Sequence, residues 1–146
     1  MIKGYVAALT IAALCLLISI SVPAGTIWEK EHHIDGWTKT ELKKAGGETA
    51  AIRRVYSRAY EKWDKALNKA YKGLMGRLPK EDKELLRESQ RKWVAYRDAE
   101  FRFLPRHVQR GGGTLSLVIT DQRMAHFIRE RVIELEAYIH LMDFAP

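Results

Sequence analysis

Leu85 to Phe103, LLRESQRKWVAYRDAEFRF, is the stretch whose reading decides the fold. As a helix it lines up Leu86, Trp93, Tyr96 and Phe103 at spacings of 7, 3 and 7. The same stripe holds Gln90, Trp93 and Arg97 at i, i+3 and i+7, with Glu100 three residues further on. A guanidinium four residues after an indole can lie over its face. A charge that close to an apolar face needs an acceptor, because an unpaired buried charge is costly. The expected acceptor for Arg97 is Asp64 of the preceding helix, a pair that would set the register of the two. The stretch is expected to be the central helix of a small all-α domain.

Working outward, a long helix is predicted from about Glu48 to Leu74. Its apolar face is Ile52, Tyr56, Ala59, Trp63, Ala66, Leu67, Ala70, Tyr71 and Leu74. Asp64, Asn68 and Tyr71 form a polar stripe beside it. Arg53, Arg54, Lys62, Lys65, Lys69 and Lys72 mostly decorate the other side, where such charge usually serves solubility. Gly73, Gly76 and Pro79 close this helix and open the next, which is predicted to run from Pro79 to Leu104 and stop at Pro105. The short turn implies an antiparallel pair.

A Gly-rich loop follows. Gly111, Gly112 and Gly113 cannot be regular helix, and Arg106, His107 and Arg110 precede them. With Thr114 they make a candidate anion-binding or partner-inserting loop, although no lysine follows as a P-loop would require. Leu115 to Ile119 reads as a short extended segment or packed loop. Thr120 is the expected N-cap of the last helix, whose apolar face is Met124, Phe127, Ile128, Val132, Leu135, Tyr138, Ile139 and Met142.

The beginning of the chain is of another kind. Met1 to Lys3 is positive, Val6 to Ile20 is nearly all apolar, and Val22-Pro23-Ala24 places small residues before Gly25. That pattern is a secretory signal peptide cleaved near Ala24. Cys15 lies inside the apolar run and follows Leu14, so no lipid anchor is expected. Residues 25–47 are read as an irregular arm, docked through Trp28, with a short helical piece from Thr38 to Lys44 capped by Thr38. His32 and His33, adjacent on the arm, are not expected to bind metal.

Once the signal is removed, about 120 residues remain, without cysteine, so packing alone must hold them. The formal charge of +7 suits anionic partners, and export makes nucleic acid the poorer choice among them. No G-x-S-x-G, H-E-x-x-H or P-loop occurs. No enzyme activity, metal or cofactor is expected.

One group of residues resembles a known family. Asp64-x-x-Leu67-Asn68-x-x-Tyr71, Leu78, the run Leu86-x-x-Ser89-Gln90-Arg91-x-Trp93-x-x-Tyr96-Arg97-Asp98-Ala99-Glu100, Gly112-Gly113-Thr114 and Thr120-x-x-Arg123 are similar to the LprI-type lysozyme-inhibitor domain. The likeness covers about Glu48 to Leu135 and is most specific in Q-R-x-W-x-x-Y-R-D-A-E. Family cysteines are replaced here, one of them by Phe101, and the loop before the last helix is short.

The resemblance implies a bacterial secreted or periplasmic protein that binds a lysozyme or another wall-lytic protein without catalysis. A local acidic patch such as Glu81, Asp82 and Glu84 would have to meet a basic lysozyme. The alternative is a basic module that binds anionic lipid or cell-wall polymer. The overall expectation is a signal peptide (1–24), an arm (25–47) and a small antiparallel bundle of three main helices (48–146). Its structural polar cluster would be Asp64, Asn68, Tyr71, Gln90, Trp93, Arg97, Asp98 and Glu100.

Overall fold

A computed structural model describes residues 31–144, so the expected signal peptide and the expected docking of Trp28 lie outside the described residues. The described chain is all helix: α1 (His33–Lys44), α2 (Thr49–Arg77), α3 (Lys80–Gln109) and α4 (Leu115–Phe144). The all-α class holds, with four helices in place of three main ones.

The core is a seam between α2 and α4. On α2 the buried residues are Val55, Ala59, Trp63, Leu67, Ala70 and Leu74, steps of three or four that keep them on one face. On α4 Ile128, Val132 and Leu135 have no exposed surface, and Ala125 lies a turn before them. Small residues let the two backbones approach. Even at Gly73, on the edge of the seam, an added Cβ would only make ordinary contact with Ile139 Cδ1, at 3.6 Å. The two helices run parallel, with Arg53 bonded to Asp121 at one end (2.7 Å) and Arg77 to Asp143 at the other (2.6 Å). They can be parallel because α3 carries the chain back between them.

The central helix is therefore α4, not α3. In α3 only Leu86 is buried, while Tyr96 and Phe103 are each 57% exposed. A stripe of Leu, Trp, Tyr and Phe is apolar enough to be core, but α3 has only α4 on its inner side for most of its length, and half the stripe stays uncovered.

The arm turns out to be more ordered than its pattern suggests. Helix α1 begins at His33, and its cap is His32, whose Nδ1 accepts from the Ile34 N–H (3.2 Å). Thr38 is no cap; its hydroxyl donates back to the Ile34 carbonyl (2.7 Å). Long-range contacts hold α1 in place. Ile34 enters the core, the His32 ring packs tilted against Trp63 at 4.5 Å between centroids, and Asp35 takes a bidentate bond from Arg129 Nε and Nη2 (2.9 Å each). Arg129 is held charged by that bond, its pKa raised above the ordinary value.

Two helix ends also differ from expectation. Pro105 does not stop α3, which continues to Gln109. Proline removes one ladder bond, but its fixed φ is itself helical, and a further turn stacks His107 on Phe103 at 5.3 Å. Helix α4 starts at Leu115, so the connection shrinks to residues 110–114 and LSLVI is its opening turns. Ser116 anchors that start by donating to the Gly113 carbonyl (2.6 Å). Thr120, far from capping the helix, is buried and donates to the Ser116 carbonyl (2.9 Å). Gly112 and Gly113 turn the chain with φ of 70° and 79°, where a side chain would be strained.

Candidate functional site

The polar cluster singled out from the sequence is split between α2 and α3: Asn68, Tyr71 and Gln90 border one groove, Trp93 and Glu100 another, and Asp64, Arg97 and Asp98 line neither. On one side Leu67, Asn68 and Tyr71 of α2 face Arg87, Gln90, Arg91 and Val94 of α3 across a groove of about 510 Å³. On the other side Trp93, Tyr96, Glu100, Phe101 and Leu104 of α3 face Arg123, His126, Phe127 and Glu130 of α4 across about 420 Å³.

The expected bond between Asp64 and Arg97 does not form. Asp64 accepts from Asn68 one turn away (3.3 Å to the carboxylate). Arg97 turns to its neighbour Asp98, donating from Nε at 2.9 Å and Nη2 at 2.7 Å. It does lie over Trp93, at 5.6 Å from the ring centroid. Arg97 reaches the edge of the packed face and keeps a solvated partner, which costs less than burial.

The buried guanidinium belongs to Arg131 of α4, 6% exposed. Its Nε donates to Gln90 (3.0 Å), its Nη2 to Ser89 (3.1 Å) and its Nη1 to Glu134 (2.6 Å). It also stands 5.9 Å from the Trp93 ring. Ser89 and Gln90 of the motif are thus the acceptors that tie α3 to α4, and Trp93 has two guanidinium groups near its ring centroid, at 5.6 and 5.9 Å. Arg131 was not singled out from the sequence. The available signal was its position: it falls at i+3 from Ile128 and i−4 from Leu135, on the buried stripe.

Above that tie the second groove is walled by aromatic rings. Phe127 stands 5.8 Å from Trp93, 5.4 Å from Tyr96 and 5.7 Å from Phe101, in tilted and edge-on geometries that favour such pairs. Glu100 lies in this groove half-buried, and among the described residues it has no hydrogen-bonding or ionic partner. Glu130 opposite is taken by Arg129 (2.7 Å) and His126 (3.5 Å). The arrangement offers apolar faces and one uncommitted carboxylate to an incoming group.

The candidate loop is exposed throughout. Arg106 and His107 lie in the last turn of α3, where positive charge complements the helix dipole, and Arg110 is its C-cap. Gly111 to Thr114 complete the turn into α4. Glu81 and Asp82 occupy the first turn of α3, and Glu84 holds Arg87. Among the described residues no three His, Cys, Asp or Glu side chains gather as a metal set, and no helix is long and apolar enough to cross a membrane.

Comparisons with curated proteins and with solved structures give no match. The family model described as lysozyme inhibitor LprI matches residues 41–135, from the end of α1 through most of α4. That span takes in α2, α3, both grooves and the tie between Gln90 and Arg131, and it is well over half of the 146 residues, so the chain belongs to the LprI lysozyme inhibitor family.

Proposed function

We propose that this chain is an exported bacterial protein that binds a lysozyme or a related wall-lytic enzyme and acts by covering it, with no chemistry of its own. The leader at residues 1–24 is the basis for export to the periplasm or beyond. The face proposed for binding is α3 together with its groove against α4. One observation carries the choice: Tyr96 is 57% exposed beside Glu100, a half-buried carboxylate with no partner among the described residues.

Aromatic side chains supply contact area at little entropic cost and dominate interface energetics. A carboxylate already partly desolvated by the groove walls gains more from an arriving cation than an open one does. That matters for a chain of +7 charge, which repels basic partners at long range. Glu100 is a local exception in the middle of the face.

The test is calorimetric titration of residues 25–146 against a panel of basic and acidic lysozymes, with a lysis assay alongside. Tight binding to at least one enzyme, weakened tenfold or more by Tyr96→Ser and by Glu100→Gln, is the expected result. Binding that neither substitution changes would move the interface elsewhere, and no binding to any member would remove the proposal.

A further inference from the structure

The opposite flank of the molecule carries a feature that inhibitor binding leaves unused. Arg54, Arg58, Lys62, Lys65, Lys69 and Lys72 are all exposed on α2. At 100° per residue they fall within an arc of about 80°, and at 1.5 Å per residue they extend about 27 Å along the helix. The two acids of α2, Glu61 and Asp64, fall outside that arc. Like charges at this spacing repel, so the row is costly unless something anionic covers it.

Neighbouring segments neutralise only the start of the row. At its start Arg54 stands 3.7 Å from Glu48, and Arg58 stands 3.9 Å from Glu41, which already holds Lys44. Lys62 leans over the Trp37 ring at 4.6 Å, beside Arg58 at 5.1 Å. Among the described residues Lys65, Lys69 and Lys72 have no ionic partner. A groove of about 380 Å³ runs beside them, with Ile34, Trp37 and Ala66 as its apolar lining and His32, His33 and Glu136 across from the lysines.

We infer that this ridge docks the protein on an anionic phospholipid membrane, with Lys62, Lys65, Lys69 and Lys72 against the headgroups and Trp37 at their level. The geometry favours a surface over a single ion. Three of these cations are solvated point charges on flexible stems, and no side chain holds them around one enclosed anion. A straight row on a rigid helix meets many mobile headgroups at once. An indole with cations over its face has the mixed character that settles at a membrane interface.

Co-sedimentation of residues 25–146 with vesicles of phosphatidylglycerol and phosphatidylcholine tests this, with pure phosphatidylcholine vesicles as reference. Binding is expected to the anionic vesicles only and to fall with salt. Lysines near such a surface contribute roughly fivefold each, so K65Q/K69Q/K72Q should weaken binding about a hundredfold. K80Q/K83Q/K92Q removes the same charge from α3 and should change it less than fivefold. Circular dichroism checks that both variants remain helical. Equal losses in the two variants, equal binding to neutral vesicles, no vesicle binding at low salt, or binding to soluble polyphosphate with vesicles ignored would each overturn the inference. None of these outcomes depends on a lysozyme, and Tyr96→Ser should leave vesicle binding unchanged.

Discussion

Helix α4 packs against two long helices and treats them differently. Toward α2 it presents Ile128, Val132 and Leu135, fully buried and closely fitted against Trp63, Leu67 and Ala70. Toward α3 it presents Phe127 and Arg131, and the contact is made of aromatic rings and two hydrogen bonds, from Arg131 to Gln90 and Ser89. The first seam is dry and non-directional, so its strength follows from area and fit. The second is directional and partly open. It fixes where α3 sits without burying much of it, and the aromatic side chains left over become available to a partner. Within one small bundle, the tight core and the face proposed for binding thus lie on adjacent sides of the same helix.

That contrast can be broken most severely in the dry seam. Leu135→Ala should cost about 3 kcal/mol of unfolding free energy by urea titration, the usual scale for an unfilled cavity in a tight core. Arg131→Met should cost less, about 1–2 kcal/mol, because Gln90 and Ser89 can turn to water once the guanidinium is gone. If the arginine variant lost as much as the leucine variant, the α3 seam would be as much a part of the core as the other, and the contrast would fail.

A smaller effect sharpens the picture at α1. Burial lowers the His32 pKa, with His33 and Arg129 acting the same way, and Glu136 and Asp35 oppose it without reversing it. A histidine depressed in the folded state binds its proton more readily when unfolded. Its contribution is therefore present above its ordinary value of 6.5 and is lost as pH falls through the lower folded value. Protonation at Nδ1 also removes the acceptor that caps Ile34. Between pH 7.5 and 5 the wild type should lose more stability than His32→Asn, which keeps a capping oxygen and does not titrate. Parallel stability curves for the two would show that the cap does not depend on the imidazole. Smallest of all, Tyr96→Ser and Phe103→Ser should each move the urea midpoint by less than the equivalent of about 0.5 kcal/mol, because both rings are mostly in water already. A large loss would mean that the exposed rings serve the fold.

Much of this was legible in the chain. The predicted face of α2 contains Ala59, Trp63, Leu67, Ala70 and Leu74, all buried. Ile128, Val132 and Leu135 were in the predicted face of α4. Helix ends were less legible. LSLVI has the composition of a strand, yet it begins α4, because a Ser116 bond and two turned glycines supply the start that composition does not show. Helix α1 is short and mixed in pattern, and its order comes from partners as far away as Arg129 and Glu136.

By itself the sequence determined an all-helical chain, the apolar faces of its long helices, the placing of the motif on one of them, and the family. Only the tertiary structure decided that α4 is the centre, that Arg131 and not Arg97 carries the buried charge, and that Trp93, Tyr96 and Glu100 border an open groove. The reason lies in what periodicity reports. It tells which side of a helix avoids water, a property of residues three and four apart. It does not tell which helix will cover that side, because α3 and α4 each carry an apolar stripe. Partners 41 or 94 positions away settle that question, and spacing along the chain carries no record of them.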